Sequence, residues 1–169
     1  MKTNSQSMIA GLALLFSMGM ANATTTNLSD LTSYGDAGYS SPVITHLGVS
    51  SFTDIYNFTL PTLSDVGAGV ANISFSVGSK SYNIPNLTLT LKDGFNNIGT
   101  TLSSGATFGG LTLGGGSYSF MVAGTPVGTG GKYVFNAVAA PVPEPQTWAM
   151  MLGGLGLIGF MSFRRRKYS

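Results

Sequence analysis

Residues 52–60 read Phe52-Thr53-Asp54-Ile55-Tyr56-Asn57-Phe58-Thr59-Leu60. Apolar and polar side chains alternate along this run, so the four large apolar residues at its even-numbered positions share one face with Asp54. The odd-numbered positions are mostly polar. Because successive side chains of a strand point to opposite faces, the alternation predicts a β-strand with one buried and one solvated face.

Comparable alternation recurs along the chain, in runs that are separated by glycine-, asparagine- and proline-rich turns. The clearest further runs are Ala71-Asn72-Ile73-Ser74-Phe75-Ser76-Val77 and Leu87-Thr88-Leu89-Thr90-Leu91. Other candidate strands cover residues 106–113, 117–123 and 132–138. Turn signals stand at Pro61, Gly67-x-Gly69, Asp93-Gly94, Gly109-Gly110, Gly114-Gly115-Gly116 and Gly128-x-Gly130-Gly131. About seven or eight short strands at this spacing predict an all-β fold, a single two-sheet sandwich of jelly-roll or immunoglobulin-like type.

Asp54 stands among aromatic side chains on the predicted inward face. An ionised carboxylate in such a place is costly unless it gains partners. We expect Asp54 to lie at the mouth of its strand, where it accepts backbone N–H bonds from a neighbouring loop. A calcium site that joins Asp54 to Asp36 or Asp93 is the alternative, but calcium needs several oxygen ligands and the sequence has no dense loop of aspartates. We therefore predict no metal site.

The N-terminal residues have the layout of a secretory signal peptide. Lys2 gives a weakly positive start, residues 8–20 form an apolar core, and Ala21-Asn22-Ala23 is an A-x-A cleavage signal. We predict a signal peptide with a helical core over residues 1–23, and cleavage after Ala23 would make Thr24 the first residue of the mature chain. An N-terminal anchor that is never cleaved is the alternative.

The C-terminal residues combine a proline motif, an apolar segment and a basic end. Pro143-Glu144-Pro145 precedes residues 147–163, which carry no charge, and Arg164-Arg165-Arg166-Lys167 follows them. A helix over residues 147–163 would be about 25 Å long, which is within reach of the thickness of the bilayer core. The sequence predicts a transmembrane helix at about residues 147–163, with the basic residues 164–167 as a cytoplasmic membrane stop.

Between these two ends, residues 24–140 are predicted to form the β-sandwich domain, and residues 141–169 the C-terminal tail. Charged residues are only 8% of the chain, against roughly 25% in an ordinary globular protein. Residues 24–142 contain three lysines and five aspartates, a formal charge of −2. This body has no basic surface for nucleic acid, so we expect no nucleic-acid partner.

The residues that would support catalysis are few. His46 is the only histidine, and its turn-rich surroundings predict a solvated loop residue. The chain has no cysteine nucleophile, no G-x-S-x-G sequence and no close pair of acidic residues for glycoside hydrolysis. The glycines follow neither the phosphate-loop nor the dinucleotide-binding pattern. We predict a protein that is not an enzyme and needs no cofactor.

Two parts of the chain resemble known families. The order Val142-Pro143-Glu144-Pro145, apolar helix, arginine-rich end resembles the PEP-CTERM sorting signal of bacterial proteins that an exosortase processes. The motif Phe52-x-Asp54-x-Tyr56-x-Phe58 resembles the FxDxF group of such proteins, with Tyr56 at a position where Phe is usual. The body is also loosely similar to the small jelly-roll of pre-peptidase C-terminal domains.

The resemblance implies an exported precursor that its tail holds transiently in the inner membrane. An exosortase-type membrane protease would cut it near Pro143-Glu144-Pro145, and the mature form would reach the cell surface or extracellular matrix. Association with exopolysaccharide is a further expectation, because strand faces rich in threonine, serine and asparagine can hydrogen-bond neutral sugars. The alternative is a periplasmic binding module that stays anchored in the membrane by an uncleaved tail.

Overall fold

A computed structural model describes residues 21–99, 102–103, 107–143 and 145–166. Almost all of the signal peptide predicted for residues 1–23 lies outside these residues. The described body is a sandwich of two β-sheets, as the sequence predicts. A short 3₁₀ helix at Leu31–Ala37 interrupts the strands near the start of the body.

The described residues form fifteen strands, about twice the predicted number, because several strands contain only two residues. In chain order they are β1 (Ala21–Asn22), β2 (Thr25–Asp30), β3 (Tyr39–Ser40), β4 (Ile44–Leu47), β5 (Ser51–Leu60), β6 (Ser64–Asn72), β7 (Phe75–Val77), β8 (Lys80–Asn83), β9 (Thr88–Asp93), β10 (Asn96–Asn97), β11 (Leu102–Ser103), β12 (Thr107–Leu113), β13 (Gly116–Gly124), β14 (Val127–Gly128) and β15 (Gly130–Pro141).

The first sheet is built around β5, whose two neighbours are β13 and the N-terminal strands. Its strand order is β1-β5-β13-β9-β10, with β2 also paired to β5 and β11 to β9. Both β1 and β2 run parallel to β5, whereas β13 runs antiparallel to it. The predicted strands at residues 52–60, 87–91 and 117–123 therefore all belong to this sheet and are confirmed within one or two residues.

The second sheet is built around β15, the longest strand. Its order is β12-β6-β15-β14-β8-β7, and the short strands β3 and β4 also pair with β15. The candidate strand at residues 132–138 lies inside β15, and the one at residues 106–113 corresponds to β12. In β12 the predicted Gly109-Gly110 turn is instead a register shift between Phe108 and Leu111.

Two sequence predictions in β6 and β7 are wrong. Residues 71–77 do not form one strand, since β6 ends at Asn72 and the exposed strand β7 begins at Phe75. Gly67-x-Gly69 is not a turn either, because β6 pairs along its length with β12 on one side and β15 on the other. A Cβ on Gly67 would lie 3.3 Å from the carbonyl oxygen of Phe108. Gly67 therefore allows close strand packing rather than chain reversal.

The core lies between the two sheets and is rich in aromatic side chains. The inward residues of β5 meet those of β15, where the rings of Tyr56 and Phe135 are 4.2 Å apart and those of Phe52 and Tyr133 are 5.5 Å apart. Phe120 of β13 adds a ring 5.4 Å from Phe135. With no cysteine in the chain, the stability of the body depends on this packing.

Helix α1 (Pro145–Arg166) follows the last strand, and its described side chains, residues 146–162, are exposed. The predicted helix is therefore present, but the prediction that it spans a membrane at residues 147–163 is not confirmed. Among the described residues, no helix combines the length and the apolar character that a membrane crossing requires. The physical reason lies in its composition, since four glycines, Thr147 and Ser162 dilute the apolar side chains.

Ile84 fills a gap that two glycines leave between the sheets. It is fully buried, and a Cβ on Gly124 would come within 2.6 Å of its Cγ2. A Cβ on Gly131 would overlap its Cγ1. The two glycines therefore provide the space that this side chain occupies.

We expect Gly131→Ala to lower the free energy of unfolding by about 1–3 kcal/mol, because the added methyl overpacks a closed site. Gly109→Ala is the matched control, since no atom lies within 4 Å of its added Cβ. Urea unfolding of both variants measures the difference. Equal stability of the two variants would contradict the packing described for Ile84.

Candidate functional site

The motif residues Phe52, Asp54, Tyr56 and Phe58 all point inward from β5 and are buried. Asp54 is only 1% exposed, and the three aromatic residues are each 2% exposed. The sequence correctly placed these four side chains on one face. The Asp54 carboxylate is therefore surrounded by aromatic rings, and its hydrogen-bond partners determine what the site can do.

Asp54 has partners on both carboxylate oxygens. Its Oδ2 accepts a hydrogen bond from the Tyr133 hydroxyl at 2.6 Å and lies 2.7 Å from His46 Nε2. Its Oδ1 accepts from the backbone N–H of Thr24 at 3.0 Å and also from the Thr24 hydroxyl. The expected backbone N–H bond is therefore present, although it comes from the segment before β2. The side-chain partners His46 and Tyr133 were not predicted.

His46 is a buried member of this cluster, so the prediction of a solvated loop residue is wrong. It lies on β4 and is 4% exposed. Its ring stacks on Phe52, with 3.9 Å between centroids. Pairing of His46 with Gly131 of β15 brings it across from Asp54. This long-range pairing leaves no local sequence pattern. The available signal was that the chain has one histidine and that Asp54, on an aromatic face, needs a partner.

Two tyrosines complete the polar cluster. The hydroxyls of Tyr56 and Tyr133 lie 3.0 Å apart. Burial raises the pKa of Tyr56 to about 12. Burial, together with the hydrogen bond that Tyr133 donates to the Asp54 carboxylate, raises the pKa of Tyr133. Both hydroxyls therefore remain protonated donors at physiological pH.

The cluster connects the two sheets and has the character of a structural network. Within the described part of the chain, every buried polar side-chain atom has a hydrogen-bond partner. The His46 ring stacks on Phe52, and both members of the Asp54–His46 pair are buried, so neither is open to a substrate in this structure. A satisfied buried network of this kind fixes the alignment of the sheets.

The calcium alternative finds no support at Asp54. Asp36 and Asp93 are exposed on the surface, whereas Asp54 is buried and engaged by His46, Tyr133 and Thr24. Over residues 21–99, 102–103, 107–143 and 145–166, no group of three histidine or acidic side chains is placed to hold a metal ion.

The outer face of the first sheet carries a shallow groove of about 480 Å³. Asn27, Asn57, Ser117 and Ser119 line it, together with Phe95 at its rim, and none of its lining residues is acidic or basic. Asn57 Nδ2 donates to Asn27 Oδ1 at 3.0 Å. The Phe95 ring is completely exposed and follows Gly94, whose φ of 57° forms the turn between β9 and β10. The sequence analysis did not identify this groove.

The C-terminal motif leaves the sandwich at its last strand. Val142 N–H still donates to the carbonyl oxygen of Leu63 at 2.9 Å, and Pro143 is exposed immediately after it. Glu144 lies outside the described residues. Pro145 is the first residue of α1, a position that suits proline because its fixed φ fits the first helical turn. The basic residues Arg164, Arg165 and Arg166 end the helix, and Lys167 lies outside the described residues.

The predicted signal-cleavage residues lie at the edge of the first sheet. Ala21 belongs to β1, which pairs with β5, and Ala23 is exposed between β1 and β2. These residues immediately precede Thr24, whose backbone contacts Asp54.

The exposed tail has a family match of its own. Residues 141–167 match the PEP-CTERM protein-sorting motif. The PEP-CTERM motif implies exosortase-dependent sorting of an exported protein. The match confirms the resemblance derived from the proline motif and the arginine-rich end. No curated protein matches the chain significantly.

Several solved structures have folds similar to that of this chain. One is the pre-peptidase C-terminal domain of a collagenase from Bacillus anthracis, at 17% identity and a TM-score of 0.42, covering 70% of this chain and 95% of that one. Another is PliG of Aeromonas hydrophila, a periplasmic inhibitor of g-type lysozyme, at 11% identity and a TM-score of 0.46, covering 72% and 100%. PliG of Salmonella Typhimurium has 16% identity and a TM-score of 0.39, covering 69% and 99%. Because these TM-scores are below 0.5, we draw no conclusion about function from them.

Proposed function

We propose that the chain is the precursor of a cell-surface or extracellular-matrix protein that an exosortase-type protease cuts near Pro143-Glu144-Pro145 at the inner membrane. The match of residues 141–167 to the sorting motif carries this proposal. Exposure of Pro143 and of the described side chains of α1 supports it, because a protease can reach a segment that is not packed on the sandwich. We retain membrane insertion of the tail in this proposal, which would keep the basic residues 164–167 on the cytoplasmic side until they are lost with it.

Replacing Pro145 with alanine should reduce processing, whereas Pro42→Ala, at an exposed proline outside the motif, should not. The measurement is the intact mass of the protein in the membrane and extracellular fractions of cells that contain an exosortase. Processing gives a species that runs from Thr24 to near Pro143. Protein found only in the membrane fraction and always retaining residues 164–167 would instead favour the permanently anchored periplasmic binding module.

The sandwich itself acts by binding rather than catalysis in this proposal. The Asp54–His46 pair is inaccessible, whereas the groove beside Phe95 is open and has an uncharged lining. Amide and hydroxyl groups beside an exposed aromatic ring suit a neutral polysaccharide, whose sugar rings combine apolar faces with hydroxyl edges. We assign exopolysaccharide association to this groove.

Phe95→Ala should weaken polysaccharide binding by about fivefold, which corresponds to roughly 1 kcal/mol for the loss of a stacking contact between the exposed ring and a sugar. Phe75→Ala is the matched control, because Phe75 is also exposed but belongs to the second sheet. Affinity electrophoresis of the exported protein in gels that contain neutral or acidic polysaccharide measures the effect. Absence of binding to every polysaccharide would refute polysaccharide association. Equal binding by both variants would refute the groove as the binding site.

A further inference from the structure

Thr24 is held in place by pairing that continues on both sides of it. Before it, Asn22 pairs with Phe52, and after it, Thr25 pairs with Ile55 in the same parallel register. The carbonyl oxygen of Thr24 accepts the N–H of Ile55 at 2.8 Å. The residues that follow Thr24 therefore fix its nitrogen beside Asp54, whatever precedes it in the chain.

The two oxygens of Asp54 face different surroundings. Oδ2 points into the core toward His46 and Tyr133, whereas Oδ1 receives both donors of Thr24, an exposed residue. His46 is the only basic side chain within ion-pair distance of Asp54 among the described residues. The oxygen that faces Thr24 thus has two neutral donors and no cation while Thr24 is joined to Ala23.

We propose that Asp54 is the binding site for the α-ammonium group that cleavage after Ala23 creates on Thr24. Hydrolysis of the Ala23–Thr24 peptide bond consumes one water and gives a carboxylate on Ala23 and an ammonium on Thr24. The nitrogen 3.0 Å from Asp54 Oδ1 changes from a neutral amide donor to a cation. The inference rests on the proposed export and on cleavage at the predicted site.

The new ion pair stabilises the folded mature protein more than the precursor. A charge-assisted hydrogen bond is about twice as strong as a neutral one, and the carboxylate here is shielded from water. The titratable groups that face Asp54 are His46 from β4, Tyr133 from β15 and Tyr56 from β5 itself. Cleavage also removes β1, but only two residue pairs to β5 are lost with it.

The first experiment measures how fast the α-amine of the exported protein is acetylated at neutral pH, with intact mass and peptide mapping as the readout. An α-ammonium paired with Asp54 should react about tenfold more slowly in the folded protein than in urea, the factor that corresponds to one pKa unit. The exposed Lys80 provides an internal reference for reagent concentration. Asp54→Asn should abolish most of the protection, and equal rates in the folded and unfolded protein would refute the pair.

The second experiment moves the charge by one residue. A glycine inserted between Ala23 and Thr24, with cleavage retained after Ala23, leaves Thr24 with an amide nitrogen and places the ammonium beyond Asp54. This insertion should lower the thermal midpoint of the exported protein, and it should have no further effect in the Asp54→Asn background. An insertion that lowers the thermal midpoint equally in both backgrounds would overturn the inference. This comparison holds even if Asp54→Asn is itself less stable.

The same mass data separate this inference from the proposed function. A mature chain that starts at a residue other than Thr24 would refute the cleavage site and the inference together. A chain that starts at Thr24 with an unprotected α-amine would refute the inference alone, and export, sorting and polysaccharide binding would be unaffected.

Discussion

Asp54→Ala should lower the free energy of unfolding by about 3–5 kcal/mol, the usual cost of removing one partner from a buried polar pair. The substitution leaves His46 and Tyr133 facing a cavity without their acceptor, in a region that water does not reach. Burying donors that have lost their acceptor is costly because the unfolded chain can hydrate them. Urea unfolding of the exported protein, followed by tyrosine fluorescence, measures the loss.

Asp65→Ala is the matched control for this prediction. Asp65 also lies on a strand and accepts a hydrogen bond, from the hydroxyl of Thr112 at 2.5 Å, but it is exposed. Its substitution should cost much less, since water replaces the lost partner. If Asp54→Ala destabilised no more than Asp65→Ala, the buried network would not be the feature that aligns the sheets.

A second large effect is expected at alkaline pH. Burial raises the pKa of Tyr56 from 10.0 to about 12 and also raises the pKa of Tyr133, so both stay protonated in the folded state at a pH where the unfolded chain loses these protons. Their contribution is fully present below pH 10 and is lost as the pH rises from 10 toward 12. Each tyrosine can lower the free energy of unfolding by up to about 1.4 kcal/mol per pH unit in this window.

The measurement is the urea midpoint of the exported protein between pH 8 and pH 11. Tyr56→Phe should make the decline above pH 10 shallower by about one tyrosine's contribution, because the variant retains Tyr133 but not the second buried phenol of the cluster. The difference in phenolate absorbance between the parent protein and Tyr56→Phe should rise together with unfolding rather than before it, because it isolates a buried phenol from exposed ones such as Tyr34. A midpoint that stays constant across this pH range would contradict the buried positions of the two hydroxyls.

The success of the sequence predictions depends on how local the controlling interactions are. The alternation at residues 52–60 identified β5 and its inward face, because period-2 patterning is written in adjacent residues. Alternation gave a wrong prediction at residues 71–77, where Phe75 and Val77 are exposed. Composition gave a wrong prediction at Gly67-x-Gly69, because β6 continues through both glycines and Gly67 packs closely against Phe108. Glycine favours turns, but it also serves crowded strands, and sequence alone does not separate the two cases.

The candidate site was less predictable than the fold. Asp54 was identified as an anomaly on an aromatic face, yet its partners come from residues 24, 46 and 133, which only the assembled sheets bring together. The sorting tail was recognised early because its motif is contiguous and functions as a linear signal. The groove beside Phe95 is formed by residues from three strands and a turn, so no single segment of the sequence predicts it.

The parallel strand β2 protects one edge of the first sheet. It covers the edge of β5, the strand that carries half of the buried aromatic residues, by pairing at residues 25–27 and 30. A protease that trimmed the mature chain past Asp30 would leave this edge open, with unpaired backbone groups ready to recruit a strand from another molecule. Such trimming should promote aggregation through this edge, so the N-terminal strand determines how well the sandwich resists it.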